Sequence, residues 1–114
     1  MEIEIKKYLF DIQESINSIE NYLGEKRDFN MYLADKMLRR AIEREFEIIG
    51  EALNRIDKLD SSINISGKRQ IIGVRNRVIH GYDKIDDGII WGIIIRYMPI
   101  LKSKHAKSTV FHII

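Results

Sequence analysis

Ile5, Leu9, Ile12, Ile16, Ile19 and Leu23 recur at alternating steps of four and three residues. That spacing is the apolar stripe of an amphipathic helix, and Gly24 directly after it is a natural C-terminal stop. Asp28 is suited to cap the next helix. Leu33, Met37, Leu38, Ala41, Ile42, Phe46, Ile49, Leu53 and Ile56 carry that helix on to about Lys58. Their spread exceeds one narrow stripe, so the sequence predicts a single long helix packed on two sides. Gly50 falls inside it, at a cost of about 1 kcal/mol relative to alanine. A close crossing by another helix would give that glycine a reason.

Residues 60–67 are rich in Asp, Ser, Asn and Gly and read as the main loop. A shorter helix is expected from Lys68 to Ile79, burying Ile71, Ile72, Val74 and Val78. Asp86 or Asp87 can cap a last helix from about Gly88 to Lys102, burying Ile90, Ile93, Ile94, Tyr97 and Leu101. Pro99 falls near its end and is placed to kink or shorten it. No run of strands appears. The fold class is therefore all-α, and the economical architecture is an up-and-down four-helix bundle spanning residues 1–104, with 105–114 as a C-terminal tail. The apolar end of that tail, Val110 to Ile114, can dock on the bundle, reach a partner or fray.

With 114 residues the chain makes one domain. It has no cysteine, which excludes disulfide stapling and zinc–thiolate sites. No basic-then-apolar leader begins it, and its longest apolar cluster, residues 89–95, is far shorter than the roughly 20 residues of a membrane span. The expectation is a cytoplasmic domain with no membrane contact. A net charge of +2 is too small to argue nucleic-acid binding by itself. Its distribution is more informative. Lys36, Arg39, Arg40 and Arg44 read as a solvated helix face, whereas Lys68, Arg69, Arg75 and Arg77 surround a histidine, His80.

The segment Arg75-Asn76-Arg77-Val78-Ile79-His80-Gly81-Tyr82 concentrates groups suited to phosphate chemistry. Arginine stays cationic and offers a planar fork of donors to phosphate oxygens. Histidine both gives and takes a proton near neutrality. Taken alone, a histidine near a helix end is more often a cap than a catalyst, and a tyrosine there more often closes the helix. Arg75 and His80 are five residues apart, so on one helix they diverge by roughly 140°. Either the helix frays at His80 and the arginine bends round, or a two-fold homodimer brings two copies of the segment to one cleft. No cluster of Asp, Glu and His has persuasive metal-ligand geometry, which disfavours a metal nuclease, and the expectation is a protein with no cofactor.

Arg75, four intervening residues, His80 and then Tyr82 resemble the R-x4-H-x-Y motif of the HepT-like toxins, small helical ribonucleases of the HEPN superfamily. The segment 44–52, with Gly50-Glu51-Ala52 at its end, resembles the family's long helix. Asp86 to Trp91 and Pro99 resemble its final helix. The similarity covers roughly residues 1–104. It implies a metal-independent endoribonuclease, the toxin of a toxin–antitoxin pair, with RNA as substrate. His80 would be the acid or base and Arg75 the phosphate-binding catalytic residue. Asn76 would orient His80 or bind phosphate or ribose, and Arg77 would support RNA binding. The resemblance also implies an MntA-type nucleotidyltransferase antitoxin that transfers AMP onto Tyr82, placing bulk and negative charge beside Arg75 and His80.

Other residues read more plainly. His105 and His112 lack such neighbours and are expected at the surface; Trp91 and Tyr97 suit core or dimer contacts. Glu47 and Glu51 share a helical face as a solvated pair or in salt bridges, and either is placed to orient the motif arginine. Two other classes stay open: a non-catalytic module that binds RNA or a nucleotide, and an adaptor bundle in a nucleotidyltransferase complex.

Overall fold

The computed structural model describes residues 2–25, 27–65, 67–79 and 86–99. They form five helices: α1 Glu2–Leu23, α2 Phe29–Ala34, α3 Lys36–Leu59, α4 Lys68–Ile79 and α5 Asp87–Arg96. Among the described residues there is no strand, so the all-α expectation holds, with one helix more than the four expected.

The stripe on α1 is buried as its spacing requires: Leu9, Ile12, Ile16 and Ile19 lie in the core, and Ile5 and Leu23 pack against it half-buried. The helix stops at Gly24, whose φ of 70° is one that side chains with a Cβ resist. The Gly24 N–H closes the last turn on the Glu20 carbonyl at 2.9 Å.

The single helix expected from Asp28 to Lys58 is instead two. Asp28 does cap α2, accepting from the Met31 N–H. Asp35 then ends α2 and begins α3. Its backbone is extended, its N–H reaches the Tyr32 carbonyl, and its carboxylate accepts from the Leu38 N–H at 3.0 Å. A short acidic side chain competes for backbone N–H groups in this way outside a helix. The break leaves Leu33 and Met37, expected on the apolar face, exposed, with Met37 at 81%. In return Tyr32 is fully buried, its ring 5.3 Å from that of Trp91, with Phe29 beside both. The Tyr32 hydroxyl reaches Asp87 at the start of α5.

α3 is the central helix. It packs against α1 and α4, the two-sided role its broad apolar surface requires. Ile42, Phe46, Ile49, Leu53 and Ile56 are each at most 1% exposed, and burial of such side chains is worth about 1.5–3 kcal/mol apiece. α4 spans its expected residues and contributes Ile71 and Val74 to the core, with Ile72 half-buried. Its first residue is tied to α3 by Lys68 Nζ, 2.7 Å from Asp57 Oδ1. Asp86 caps α5 through the N–H groups of Gly88 and Ile89, and Ile90, Ile93 and Ile94 fill the core. α5 ends at Arg96, short of the expected Lys102. Pro99 offers no N–H and its ring opposes the carbonyl four residues back, so the helix cannot run through it undisturbed. Leu101 and the tail from residue 105 lie outside the described residues. No helix among the described residues is long and apolar enough to cross a membrane.

Candidate active site

α4 carries the motif arginine, and its helical period sorts its residues. Ile71 and Val74 face the core, while Arg69, Gln70, Gly73 and Arg77 form an exposed strip. Arg75 lies between these faces, directed at α3. There it meets Gly50: a Cβ added to that glycine would lie 2.9 Å from Arg75 Cγ, closer still to Arg75 Cβ, and 3.3 Å from the Ile71 carbonyl oxygen. This is the close crossing that Gly50 predicts. It seats the base of the arginine side chain against the α3 backbone.

The tip of Arg75 is held as well. Nη2 pairs with Glu51 Oε2, and Nη1 donates to Asn76 Oδ1 at 3.0 Å. The other Glu51 oxygen, Oε1, accepts from Arg55 Nε at 2.7 Å. One carboxylate therefore joins two guanidinium groups. The Arg55 hydrogen bond, with the nearby Arg75 charge, holds the Glu51 carboxyl below the usual carboxylate range against the opposing effect of burial. Arg75 is only 20% exposed, and its Nε is buried with no hydrogen-bond partner among the described residues. An arginine fixed at both terminal nitrogens still keeps a second N–H on each, so it can meet a phosphate without first being ordered.

The structure thus brings Arg75 and Asn76 together and gives Asn76 a concrete partner, the arginine itself. Arg77 points elsewhere. It lines a separate cavity of about 220 Å³ with Arg69, Val74 and Ile89, whereas Arg75 opens into a cleft of about 570 Å³ between α1 and α3. His80 and Tyr82 lie outside the described residues. Of the two α3 glutamates placed to orient the arginine, Glu51 holds it, while Glu47 pairs with Arg44 at 3.2 Å. Arg55 is the residue that sequence reasoning passed over. Its signal was the four-residue step from Glu51, the spacing of a helical ion pair. Among the described residues no three His, Cys, Asp or Glu side chains cluster in a way that could hold a metal.

Comparison with known proteins bears on this arrangement. A family model described as ribonuclease HepT-like matches residues 12–107. A Methanocaldococcus jannaschii protein named as a putative RNase is 35% identical over 103 residues, covering 89% of this chain and 93% of that protein. A Thermococcus cleftensis protein named as a probable ribonuclease HepT is 34% identical over 103 residues, covering 90% and 93% respectively. No solved structure gives a significant match. With a family model spanning both the α3–α4 crossing and the motif helix, the chain belongs to the HepT-like ribonuclease family.

Proposed function

We propose that this ribonuclease is the toxin of a toxin–antitoxin pair and cleaves RNA within the chain without a metal ion. The observation that carries the reading is the anchored Arg75, held by Glu51 and Asn76 at the end of α4 that leads into His80. RNA brings its own nucleophile, the 2′-hydroxyl. Cleavage then needs a proton removed from that hydroxyl, a proton given to the departing 5′-oxygen, and stabilisation of a crowded, negatively charged phosphorane. Arg75 supplies the charge stabilisation from a preorganised position. His80 moves the proton, a role typically worth about 10²–10⁴-fold.

The active unit in this reading is a two-fold dimer. Within one continuous helix, a five-residue step does not aim Arg75 and His80 at one point. A second copy of the chain would place two motif segments about one axis.

Regulation follows the same electrostatics. A nucleotidyltransferase antitoxin of the MntA type would transfer AMP to Tyr82. The phenol oxygen attacks the α-phosphorus of ATP, pyrophosphate leaves, and the phenolic proton passes to solvent. The added phosphodiester would compete with RNA for the arginines.

The test is RNA cleavage in a chelator, comparing wild type with His80→Ala and Arg75→Ala. Cleavage lost in both variants is the expected result. RNA binding without His80-dependent cleavage would make the protein a binding module, and neither binding nor cleavage would make it an adaptor. Full activity from a monomer would sink the dimer. Intact mass after incubation with the partner enzyme and ATP should gain one adenylyl group, and Tyr82→Phe should abolish that gain.

A further inference from the structure

Resting on the ribonuclease reading, we infer that the cleft between α1 and α3 is an RNA subsite, in which Arg55 binds the phosphate next to the scissile one. Arg75 lines this cleft with Lys7 and Tyr8 of α1 and Arg44 and Arg55 of α3. The motif arginine thus opens onto a groove lined by three further cations and an aromatic ring. Basic and aromatic groups together are the composition of single-strand grooves.

The geometry singles out Arg55 within that set. Its Nε is committed to Glu51 Oε1, while Glu51 Oε2 holds Arg75, so a single carboxylate spaces the two guanidinium groups. The Arg55 side chain is 56% exposed. Its two Nη groups remain for a ligand in the planar arrangement that matches phosphate oxygens. Glu51 makes the spacing rigid, so two adjacent phosphates on one strand would meet two donors already set apart.

The acids in the cleft are each engaged by its own cations. Asp11 lies 3.7 Å from Lys7, Glu47 is 3.2 Å from Arg44, and Glu51 serves Arg55 and Arg75. Four cations against three carboxylates leave one positive charge. Such a cleft holds a free phosphate weakly. A phosphate already tethered through its neighbour at Arg75 is different, because tethering over a short linker supplies an effective concentration in the millimolar range.

The decisive comparison uses two RNAs and two variants, Arg55→Ala and Arg55→Lys. An eight-nucleotide RNA made uncleavable by 2′-O-methylation reports binding across a range of salt. Arg55→Ala should weaken its binding about tenfold and lower the salt slope by about 0.7, the value for one phosphate contact on a single strand. Arg55→Lys should restore the slope. Cleavage of the unmodified octamer should then suffer at least fivefold more from Arg55→Ala than cleavage of a dinucleoside monophosphate, whose one phosphate is the scissile one. Equal losses on both substrates would overturn the subsite and reduce Arg55 to a prop acting through Glu51. Unchanged octamer binding and slope would overturn it as well. Should the wild type bind RNA but cleave nothing, the ribonuclease reading fails while the binding comparison still decides the subsite.

Discussion

Gly50 and Arg75 are in backbone-to-side-chain contact across the α3–α4 crossing, with no room between them for a methyl group. This one contact fixes how closely the two helices approach, and so where the arginine fork emerges beside Glu51. The glycine that looks like a flaw in α3 is what seats the site.

Gly50→Ala should therefore destabilise the protein although alanine is the better helix former. The added Cβ meets Arg75 Cβ and a backbone carbonyl, neither of which can swing away. Overpacking of this kind costs roughly 1–3 kcal/mol, against about 1 kcal/mol gained in propensity. Gly73 on α4 is the control: a Cβ there meets nothing within 4 Å, and Gly73→Ala should stabilise by up to about 1 kcal/mol. Denaturant midpoints of the two variants should move in opposite directions. A stabilised Gly50→Ala would show that the helices are free to part.

Arg75→Lys keeps the charge but not the fork. A lysine ammonium can reach Glu51 or Asn76 as a point charge; it cannot present a fixed planar edge while bonded to both. Hydrogen bonds to charged groups are worth about 1.5–3 kcal/mol, so kcat/KM for RNA cleavage should fall about ten- to a hundredfold with little change in thermal midpoint. A lysine variant as fast as wild type would mean that charge alone suffices.

The Glu51 carboxyl is held low in the folded protein, chiefly by the hydrogen bond from Arg55 and, against the opposing effect of burial, by the charges of Arg75, Arg55 and Lys58. A depressed folded-state value means the folded protein binds fewer protons there than the unfolded chain. The contribution is complete above the ordinary value of 4.5 and is lost as pH falls through the lower folded value. Glu51→Gln removes the titration. The drop in urea midpoint between pH 5.5 and 3 should be smaller in that variant than in wild type, and an equal drop would deny Glu51 its share.

Much of this was legible in the chain because the signals were local. The four-three stripe of α1, the span of α4 and the close crossing at Gly50 follow from periodicity and from what glycine costs in a helix. The break at Asp35 was hidden because apolar residues continue on both sides of it, and the stop is made by one carboxylate choosing the Leu38 N–H. Burial of Tyr32 depends on Trp91, far away in sequence, a tertiary partner that no local pattern announces. At the site, the motif named Arg75. Glu51, 24 residues earlier on another helix, was one of two glutamates placed to orient it, and the helix crossing decides between them; Arg55, which bonds Glu51 in turn, becomes a neighbour of the site only through that crossing.

Asp35 tests how the two-helix arrangement is maintained. Asp35→Ala removes the acceptor for the Leu38 N–H but leaves the backbone bond from residue 35 to the Tyr32 carbonyl. Loss of such a cap costs about 1 kcal/mol, whereas Asp35→Asn, a comparable cap, should cost little. The single tryptophan, Trp91, lies against Tyr32 and Phe29 of α2, so its fluorescence reports whether α2 stays in place. The expected outcome for Asp35→Ala is a lower denaturant midpoint with native tryptophan emission, since the buried aromatic cluster holds α2 independently of the cap. A red-shifted emission would mean that α2 and α3 have merged into one helix and carried Tyr32 out of the core. The cap, and not the cluster, would then be what divides them.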